Sequence, residues 1–419
     1  MKRLLLLFCL MAFMLQLSAQ KQRKALFIGI DGVRSDALQQ ANTPNMDGLF
    51  ANGISTYNSW HLGITSSGPS WSSMLTGVWE AKHLVTNNSY SGANFADWPY
   101  LSNRLREADP TLKCVQIITW NPMGEADLNA GGNVYNSNWS QTIDAGDLGQ
   151  GLVTQTAKLQ LLDPELDFLF IHYDETDSAG HGLGFSPDVP GYMTAIEGVD
   201  QEIGEVLAAL RARPTYDQED WMIVSTTDHG GQGFGHGGNS NNERAIWWYA
   251  SGDNIPNVTL PDEGDPGSYQ MPDNAVDPDQ LAQVPVLTDI TTTVLDWMLA
   301  DMTGVAIQER WDLDGKSWLP DSISTITSVA NRVEELPGLE VFPNPSTSRN
   351  VTVNYPALNL ASSVTIIDQL GRPVASKQVS ARTEGQLSFD LSDVPAGMYF
   401  VGVRETSGRA FRHRVIILR

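Results

Sequence analysis

The sequence predicts an α/β protein: a doubly wound, mostly parallel sheet followed by a small C-terminal β-sandwich. Three observations carry this expectation. Apolar runs of strand length recur at residues 25–30, 114–119, 168–172 and 221–225, and they are continuous rather than alternating, as strands covered on both faces are. Helical periodicity fills intervals such as 102–108 and 193–211, the alternation that lays helices on both sides of a parallel sheet. After residue 339 the style changes to short alternating segments at 351–355, 364–368, 386–391, 398–404 and 411–418. Turn residues such as Gly371-Arg372-Pro373 and Pro395-Ala396-Gly397 separate them, the pattern of a small all-β sandwich.

At the start of the chain, Lys2 and Arg3 precede an apolar run over 4–17 and then Ser18-Ala19-Gln20. Charged, apolar and small residues in that order predict a secretory signal peptide over 1–20, too short to span a bilayer as a permanent helix. Cys9 lacks the preceding small residues of a lipid-anchor site, and its loss with the leader leaves Cys114 alone, so no internal disulfide is expected. No later stretch is apolar enough for a transmembrane segment. A body over 21–319 follows, with a Pro-, Asp- and Asn-rich surface excursion at 252–283 and a helix at 286–299. Residues 320–338 read as a linker and 339–419 as the sandwich.

The net charge of −23 is unevenly placed: from Glu340 onward there are nine basic and six acidic residues, leaving seventeen and forty-three before it. An acidic body repels phosphate backbones and argues against binding a nucleic-acid duplex.

Parallel sheets place their sites beyond the carboxyl ends of the strands. The first run ends in Asp31, the third in His172-Tyr173-Asp174-Glu175-Thr176-Asp177, and the fourth in Asp228-His229 among glycines that lead to His236. Three strands thus deliver carboxylates to one edge of one sheet. Asp177 and His181, four apart, would face the same way on a helical turn. Each feature alone is an ordinary turn or cap; Asp31 before Gly32, for example, suits a loop aspartate capping the next helix. Five or six ligand-type residues at one edge are hard to explain as unrelated turns, and carboxylates with imidazoles are the raw material of a transition-metal site. Ser67 lies in a Ser-rich stretch that reads as a helix N-terminus. Beside a metal such a hydroxyl becomes a nucleophile, and free helix N–H groups would welcome an anion. The bland alternative is a Ser-rich loop capping a helix.

Asp31-Gly32-Val33-Arg34, Ser67-x-Pro69 running to Leu75-Thr76-Gly77, Asp177-x-x-x-His181, Asp228-His229-Gly230 and His236-Gly237 resemble, in that order, the motifs of the alkaline phosphatase superfamily. The set is most similar to its type I phosphodiesterase/nucleotide pyrophosphatase branch and covers about residues 24–314. The resemblance implies the alkaline phosphatase-like fold and two divalent metal ions, usually zinc. One would be held by Asp177, His181 and His236, the other by Asp31, Asp228, His229 and Ser67. It implies hydrolysis of a small phosphate-ester substrate, a phosphodiester or nucleotide pyrophosphate, through a phospho-Ser67 intermediate. The branch typically carries Thr at the nucleophile position, so Ser67 is a departure. Its phosphate-binding Asn follows a His by five residues, a spacing kept by His83 and Asn88, which makes Asn88 the expected oxyanion donor. A turn residue beside Asn87 is the other reading of Asn88. No His lies between His236 and His413, so His236 is the available third imidazole.

Sulfatases share this fold and phosphomonoesterases share the site, so both stand as alternatives. Sulfatases require Arg two residues after the Pro, where this chain has Trp71, and they lack the Asp177/His181 type of site. A non-catalytic surface binding protein is the alternative of another class; an intact ligand set argues against it. Among the aromatics near the site, Trp60, Trp71, Trp79 and Trp120, the last follows a strand and could stack on a flat leaving group. The tail opens on Leu339-Glu340-Val341-Phe342-Pro343-Asn344-Pro345, carries Pro395-Ala396-Gly397-Met398-Tyr399 and ends basic. It resembles the C-terminal sorting domain of type IX secretion cargo. That resemblance implies the type IX machinery as a partner and a secreted or cell-surface location reached through the periplasm. An accessory adhesion or carbohydrate-binding sandwich is its alternative.

Overall fold

The computed structural model describes residues 21–123, 138–146, 149–261, 264–320 and, within 339–417, all but 345, 347–349, 358–361, 368–372, 381, 393, 395–396 and 406–409. The expected signal peptide and, save residue 320, the expected linker lie outside the described residues. The chain divides into two compact units, Met1–Ser328 and Val329–Arg419.

The first unit is built on strands β1 (Gln22–Ile30), β2 (Gly53–Trp60), β3 (Lys113–Ile118), β4 (Gln141–Asp144), β5 (Leu166–Tyr173), β6 (Glu219–Thr227), β7 (Ala245–Ser251) and β8 (Val258–Thr259). They form one sheet in the order β4-β3-β5-β1-β6-β7-β2-β8. The first five run parallel, whereas β7 is antiparallel to both β6 and β2. The four apolar runs legible in the sequence are the adjacent strands β3, β5, β1 and β6. Their continuous apolarity follows from burial on both faces. Ala25 and Phe27 enter one core cluster, and Leu26, Ile28 and Ile30 enter the other, because successive side chains of a strand point to opposite faces.

Helices cover each face. Ser67–Thr76, Leu101–Ala108 and Asp289–Met298 contribute Trp71, Leu105 and Trp297 to the first cluster. Gln150–Gln160 and Pro190–Arg211 contribute Val153, Ile203 and Leu210 to the second. Each fully buried Leu, Ile or Phe side chain is worth about 1.5–3 kcal/mol of transfer free energy. The sheet is therefore a stiff platform, and the loops at its carboxyl edge inherit fixed positions from it. Cys114 is buried and unpaired.

The second unit has a three-stranded antiparallel sheet and a four-stranded one. The first contains β9 (Glu340–Phe342), β10 (Asn350–Tyr355) and β13 (Gly385–Asp390). The second contains β11 (Ser362–Ile367), β12 (Pro373–Val379), β14 (Gly397–Glu405) and β15 (Ala410–Ile417). Alternate residues of both sheets, Val341, Val351 and Val353 with Val364, Ile366, Val401 and Val403, share one core, which is the sandwich the alternation predicted.

Candidate active site

Strand β1 ends at Ile30, and the chain turns at Gly32, whose φ is +68°. A Cβ there would lie 2.6 Å from Asp177 Oδ1, so glycine is needed for the turn and for the approach of Asp177. The turn leaves Asp31 fully buried at the sheet edge. Strand β5 feeds helix Glu175–Leu183, which carries Asp177 and His181 one turn apart, as the i, i+4 spacing predicts. Strand β6 ends in Asp228 and His229, both fully buried. Asp228 Oδ1 accepts N–H groups from Gly32 at 3.1 Å and from His229 at 2.9 Å, which ties the ends of β1 and β6 together.

All seven residues expected to hold metal converge. His229 Nε2 lies 3.2 Å from Asp228 Oδ2, 3.6 Å from Asp31 Oδ1 and 3.4 Å from Ser67 Oγ. Asp177 places Oδ2 3.3 Å from His181 Nε2 and Oδ1 3.7 Å from His236 Nε2. The two groups meet where the His229 and His236 rings stack, with centroids 3.9 Å apart.

The histidines share one orientation. Nδ1 of His181, His229 and His236 faces the carbonyl of Phe234, Gly230 and Thr65 at 2.9, 2.8 and 2.9 Å respectively. A carbonyl only accepts, so each Nδ1 carries the proton and each Nε2 turns a lone pair inward. Burial, aided by the neighbouring His236, pushes the His229 pKa down to about 3, which keeps that ring neutral. His229 Nε2 thus accepts from the Ser67 hydroxyl.

The carboxylates are arranged to match. Asp31 Oδ1, Asp177 Oδ1 and Asp228 Oδ2 are buried with no hydrogen-bond partner. Burial and the nearby Asp31 charge push Asp177 up to about 9 and Asp228 well above the ordinary carboxylate value. Burial works the same way on Asp31, but the neighbouring His172 and His229 imidazoles and the Trp71 indole N–H outweigh it and hold Asp31 low. Inward lone pairs beside orphaned carboxylate oxygens fit divalent cations, and ligand atoms of Asp31, Asp228 and His229, and of Asp177, His229 and His236, lie within 4.8 Å of one another. His229 thus sits between the two ligand groups inferred from the motifs.

Ser67 opens the helix Ser67–Thr76, and the chain enters through extended Ser66. Beyond Ser67, the first N–H groups of that helix are not free. Gly68 N–H donates to Asn88 Oδ1 at 2.9 Å, Pro69 has none, and Ser70 N–H donates to Ser66 O at 2.9 Å. The Asn88 amide oxygen faces Gly68, so its NH₂ is turned outward from an exposed side chain beside the start of this helix.

Two residues given no role from the sequence support the site. Trp71, one turn after Ser67, is fully buried and donates Nε1–H to Asp31 Oδ2 at 2.9 Å. Gly29 makes room for it: a Cβ there would lie 2.4 Å from the Trp71 ring. His172, at the end of β5, brings Nε2 to 3.4 Å from Asp31 Oδ2. Trp60 and Trp79 are buried core, while Trp120 is half-buried at the end of β3 and packs 6.2 Å from Tyr90.

Residues 25–237 match the family described as type I phosphodiesterase / nucleotide pyrophosphatase. The chain belongs to that family. Residues 340–418 match the secretion system C-terminal sorting domain, so the second unit is a sorting domain of the type IX kind. Among curated proteins the chain is similar to bis(5'-adenosyl)-triphosphatase ENPP4 of Bos taurus, 24% identical over 230 residues, covering 51% of this chain and 48% of the relative. It is also similar to ectonucleotide pyrophosphatase/phosphodiesterase family member 7 of Homo sapiens, 23% identical over 229 residues, covering 51% and 49%. The chain spans about half the length of the curated relatives it matches. Among solved structures a 2-O GAG sulfatase aligns over 94% of this chain and 83% of its own, with a TM-score of 0.53 and 12% identity, a likeness of fold. Among the described residues no helix is long and apolar enough to cross a membrane.

Proposed function

We propose that this protein is a secreted, two-metal hydrolase of phosphodiesters or nucleotide pyrophosphates that works through a phospho-Ser67 intermediate. The carrying observation is the Ser67 hydroxyl, 3.4 Å from His229 Nε2, at the mouth of a buried set of inward imidazole lone pairs and unpartnered carboxylate oxygens. Asp177, His181 and His236 would hold one ion, and Asp31, Asp228, His229 and Ser67 the other. Two divalent ions, zinc by the donor set, supply Lewis-acid stabilisation of the attacking and leaving oxygens of an in-line displacement.

The chain's own groups divide the remaining work. The helix start aims the Ser67 Oγ at phosphorus, next to the His229 Nε2 with which it would share an ion. The outward Asn88 NH₂ donates to a non-bridging phosphoryl oxygen as charge builds there, a contact of the oxyanion-hole kind. Trp71 holds Asp31, and the turn at Gly32 holds Asp177, so these ligands need no reorganisation during the reaction. The partly open Trp120 offers an aromatic surface for a flat leaving group. Attack forms the Ser67 Oγ–P bond and breaks the bond to the leaving oxygen; water then cleaves the phospho-serine. Family membership, and relatives named for cleaving a bis-adenosyl triphosphate, support a diester or pyrophosphate substrate. Trp71, buried on Asp31, supports phosphate over sulfate because it fills the place of the sulfatase Arg.

Assay of the purified, zinc-loaded protein on an aryl phosphodiester, an aryl phosphomonoester and an aryl sulfate tests the reading. Diester preference is expected. Sulfate preference would overturn the assignment, and monoester preference would move it to the phosphatase alternative.

A further inference from the structure

Residues 61–66, which lead from β2 to Ser67, form neither helix nor strand, so side chains must hold much of their backbone. Ile64 is held by both of its backbone groups. Its N–H donates to Glu80 Oε1 at 2.7 Å, and its carbonyl accepts the Ser70 hydroxyl at 3.2 Å. The second direction is forced. Gly63 N–H donates to His61 Nδ1 at 3.0 Å, so the His61 proton is on Nε2 and donates to Ser70 Oγ at 2.9 Å. Gly63 has to be glycine, because a Cβ there would overlap both Glu80 carboxylate oxygens, which lie against this backbone. The next residue, Thr65, donates its hydroxyl to Gly238 O at 2.7 Å, and its carbonyl accepts His236 Nδ1–H at 2.9 Å. One carboxylate thus holds the stretch that leads to Ser67 and supports His236.

We propose that Glu80 is a positioning residue for the nucleophile: its carboxylate fixes Ile64, and through Ile64 it sets where the Ser67 hydroxyl stands. Its hydrogen bond ends three residues before Ser67, so it acts through the loop and not on the reacting atoms. A charged acceptor holds an N–H more firmly than a neutral one. Burial raises the Glu80 pKa to about 7, against the pull of the Ile64 N–H and of its own, so the hold on the loop strengthens as the pH rises through neutrality. Of the titratable groups around Glu80, His61 and His83 are kept neutral by burial, the latter at about 3. Burial and the Asp314 and Glu80 charges keep Tyr269 protonated. Lys82 pairs with Asp312 at 3.1 Å and Asp314 at 2.8 Å. The proposal rests on the proposed function only for the role of Ser67 as nucleophile.

Glu80→Gln keeps the shape and one acceptor oxygen and cannot ionise. Steady-state kinetics of the zinc-loaded wild type and variant, on the ester the protein cleaves fastest, test the proposal. The two should have similar kcat near about pH 6. Wild type should lead by about five- to tenfold near about pH 9, with KM little changed. Gly63→Ala, whose methyl group displaces the Glu80 carboxylate, should lose at least as much at the higher pH. Phosphate-ester turnover by Glu80→Gln that stays within about twofold of wild type across this range would overturn the proposal and leave the proposed function intact. A deficit equal at both pH values would also overturn it, because a purely structural role has no reason to follow ionisation. Hydrogen exchange at residues 61–67 of the metal-free proteins near about pH 8, read by mass spectrometry, needs neither ion nor substrate. Faster exchange in Glu80→Gln than in wild type is expected, and equal exchange would overturn the proposal. Faster exchange in a protein that turns over no phosphate ester would sink the proposed function and leave the hold of Glu80 on the loop standing.

Discussion

His181 and His236 face each other through Nε2 atoms 3.1 Å apart, and both have their Nδ1 proton on a backbone carbonyl. A neutral pair cannot settle that contact, because two lone pairs repel. A cation between them turns the repulsion into ligation. Chelation should therefore abolish hydrolysis, and zinc should restore it. Binding at a hundredfold excess over Kd contributes about 2.7 kcal/mol, so the melting temperature of the chelated protein should fall by roughly 5 °C. Calorimetry with and without chelator checks both. His236→Ala should remove one zinc equivalent; unchanged zinc content would show that the pair is held by a proton instead.

Ser67→Ala removes the hydroxyl and leaves the imidazole and carboxylate set in place. Turnover should drop by at least about 10³-fold, since removal of a nucleophile leaves only binding and charge stabilisation. Melting temperature should change little. Acid quench of wild-type protein with a ³²P-labelled diester, followed by peptide mapping, should find phosphate on Ser67. Turnover of the alanine variant within tenfold of wild type would exclude the phospho-serine route.

Asn88 separates a catalytic contact from a structural one through two variants. Asn88→Asp keeps an oxygen on Gly68 N–H but replaces the outward NH₂ by a second oxygen. Asn88→Ala loses both. If the amide donates to the phosphoryl oxygen, each variant should lose about 10²–10³-fold in kcat. A structural role alone would spare the aspartate variant. Steady-state kinetics on the aryl diester distinguish the two outcomes.

Much of the site was legible because three of its strands are buried on both faces, and an apolar run that stops at Asp31 or Asp228 marks a sheet edge by itself. β2 was not legible. Ser55, Thr56, Asn58 and Ser59 break its apolar pattern, and their hydrogen bonds, such as Ser55 Oγ–H to Phe50 O at 3.1 Å, are made with groups no periodicity reveals. β7 is apolar throughout, but a run of that kind does not tell parallel from antiparallel. The helix at Ser67 was legible as a helix start, while the fate of its N–H groups depended on Asn88, twenty residues on. Trp71 read as an aromatic near the site, and it packs in the core. Its one polar atom alone gives it a part in the site, and only coordinates locate the acceptor.

Gly29 and Trp71 make that last point measurable. A methyl group at residue 29 would have to displace the Trp71 ring, which lies 2.4 Å from the Cβ position, and Trp71 carries the hydrogen bond to Asp31. Gly29→Ala should destabilise the protein by about 1–3 kcal/mol through overpacking. Zinc affinity should fall with it, as Asp31 loses its support. Trp71→Phe removes the donor and part of the ring without forcing a clash. It should weaken zinc binding with a smaller loss of stability. Denaturant unfolding and zinc titration of the two variants separate packing from positioning.

Asp289 offers a test of burial away from the metal centre. It opens helix Asp289–Met298, fully buried. It accepts from Val286 N–H at 3.0 Å, Trp318 Nε1–H at 2.7 Å and Lys316 N–H at 2.8 Å. Burial outweighs these bonds and the Lys316 charge and pushes its pKa from 3.8 up to about 6. A raised carboxyl pKa means that the folded state holds the proton more tightly than the unfolded chain. Its stabilising contribution is complete below about pH 4 and is lost as the pH rises through about 6. The gap of about two pH units sets a ceiling of roughly 3 kcal/mol. Asp289→Asn, neutral at every pH, loses an acceptor but not this slope-free neutrality. The stability of the variant relative to wild type should therefore climb between pH 4 and about 6.5. Urea unfolding of both proteins in chelator, which removes metal-linked protons from the comparison, would read that climb; a constant difference would mean that Asp289 stays ionised in the fold.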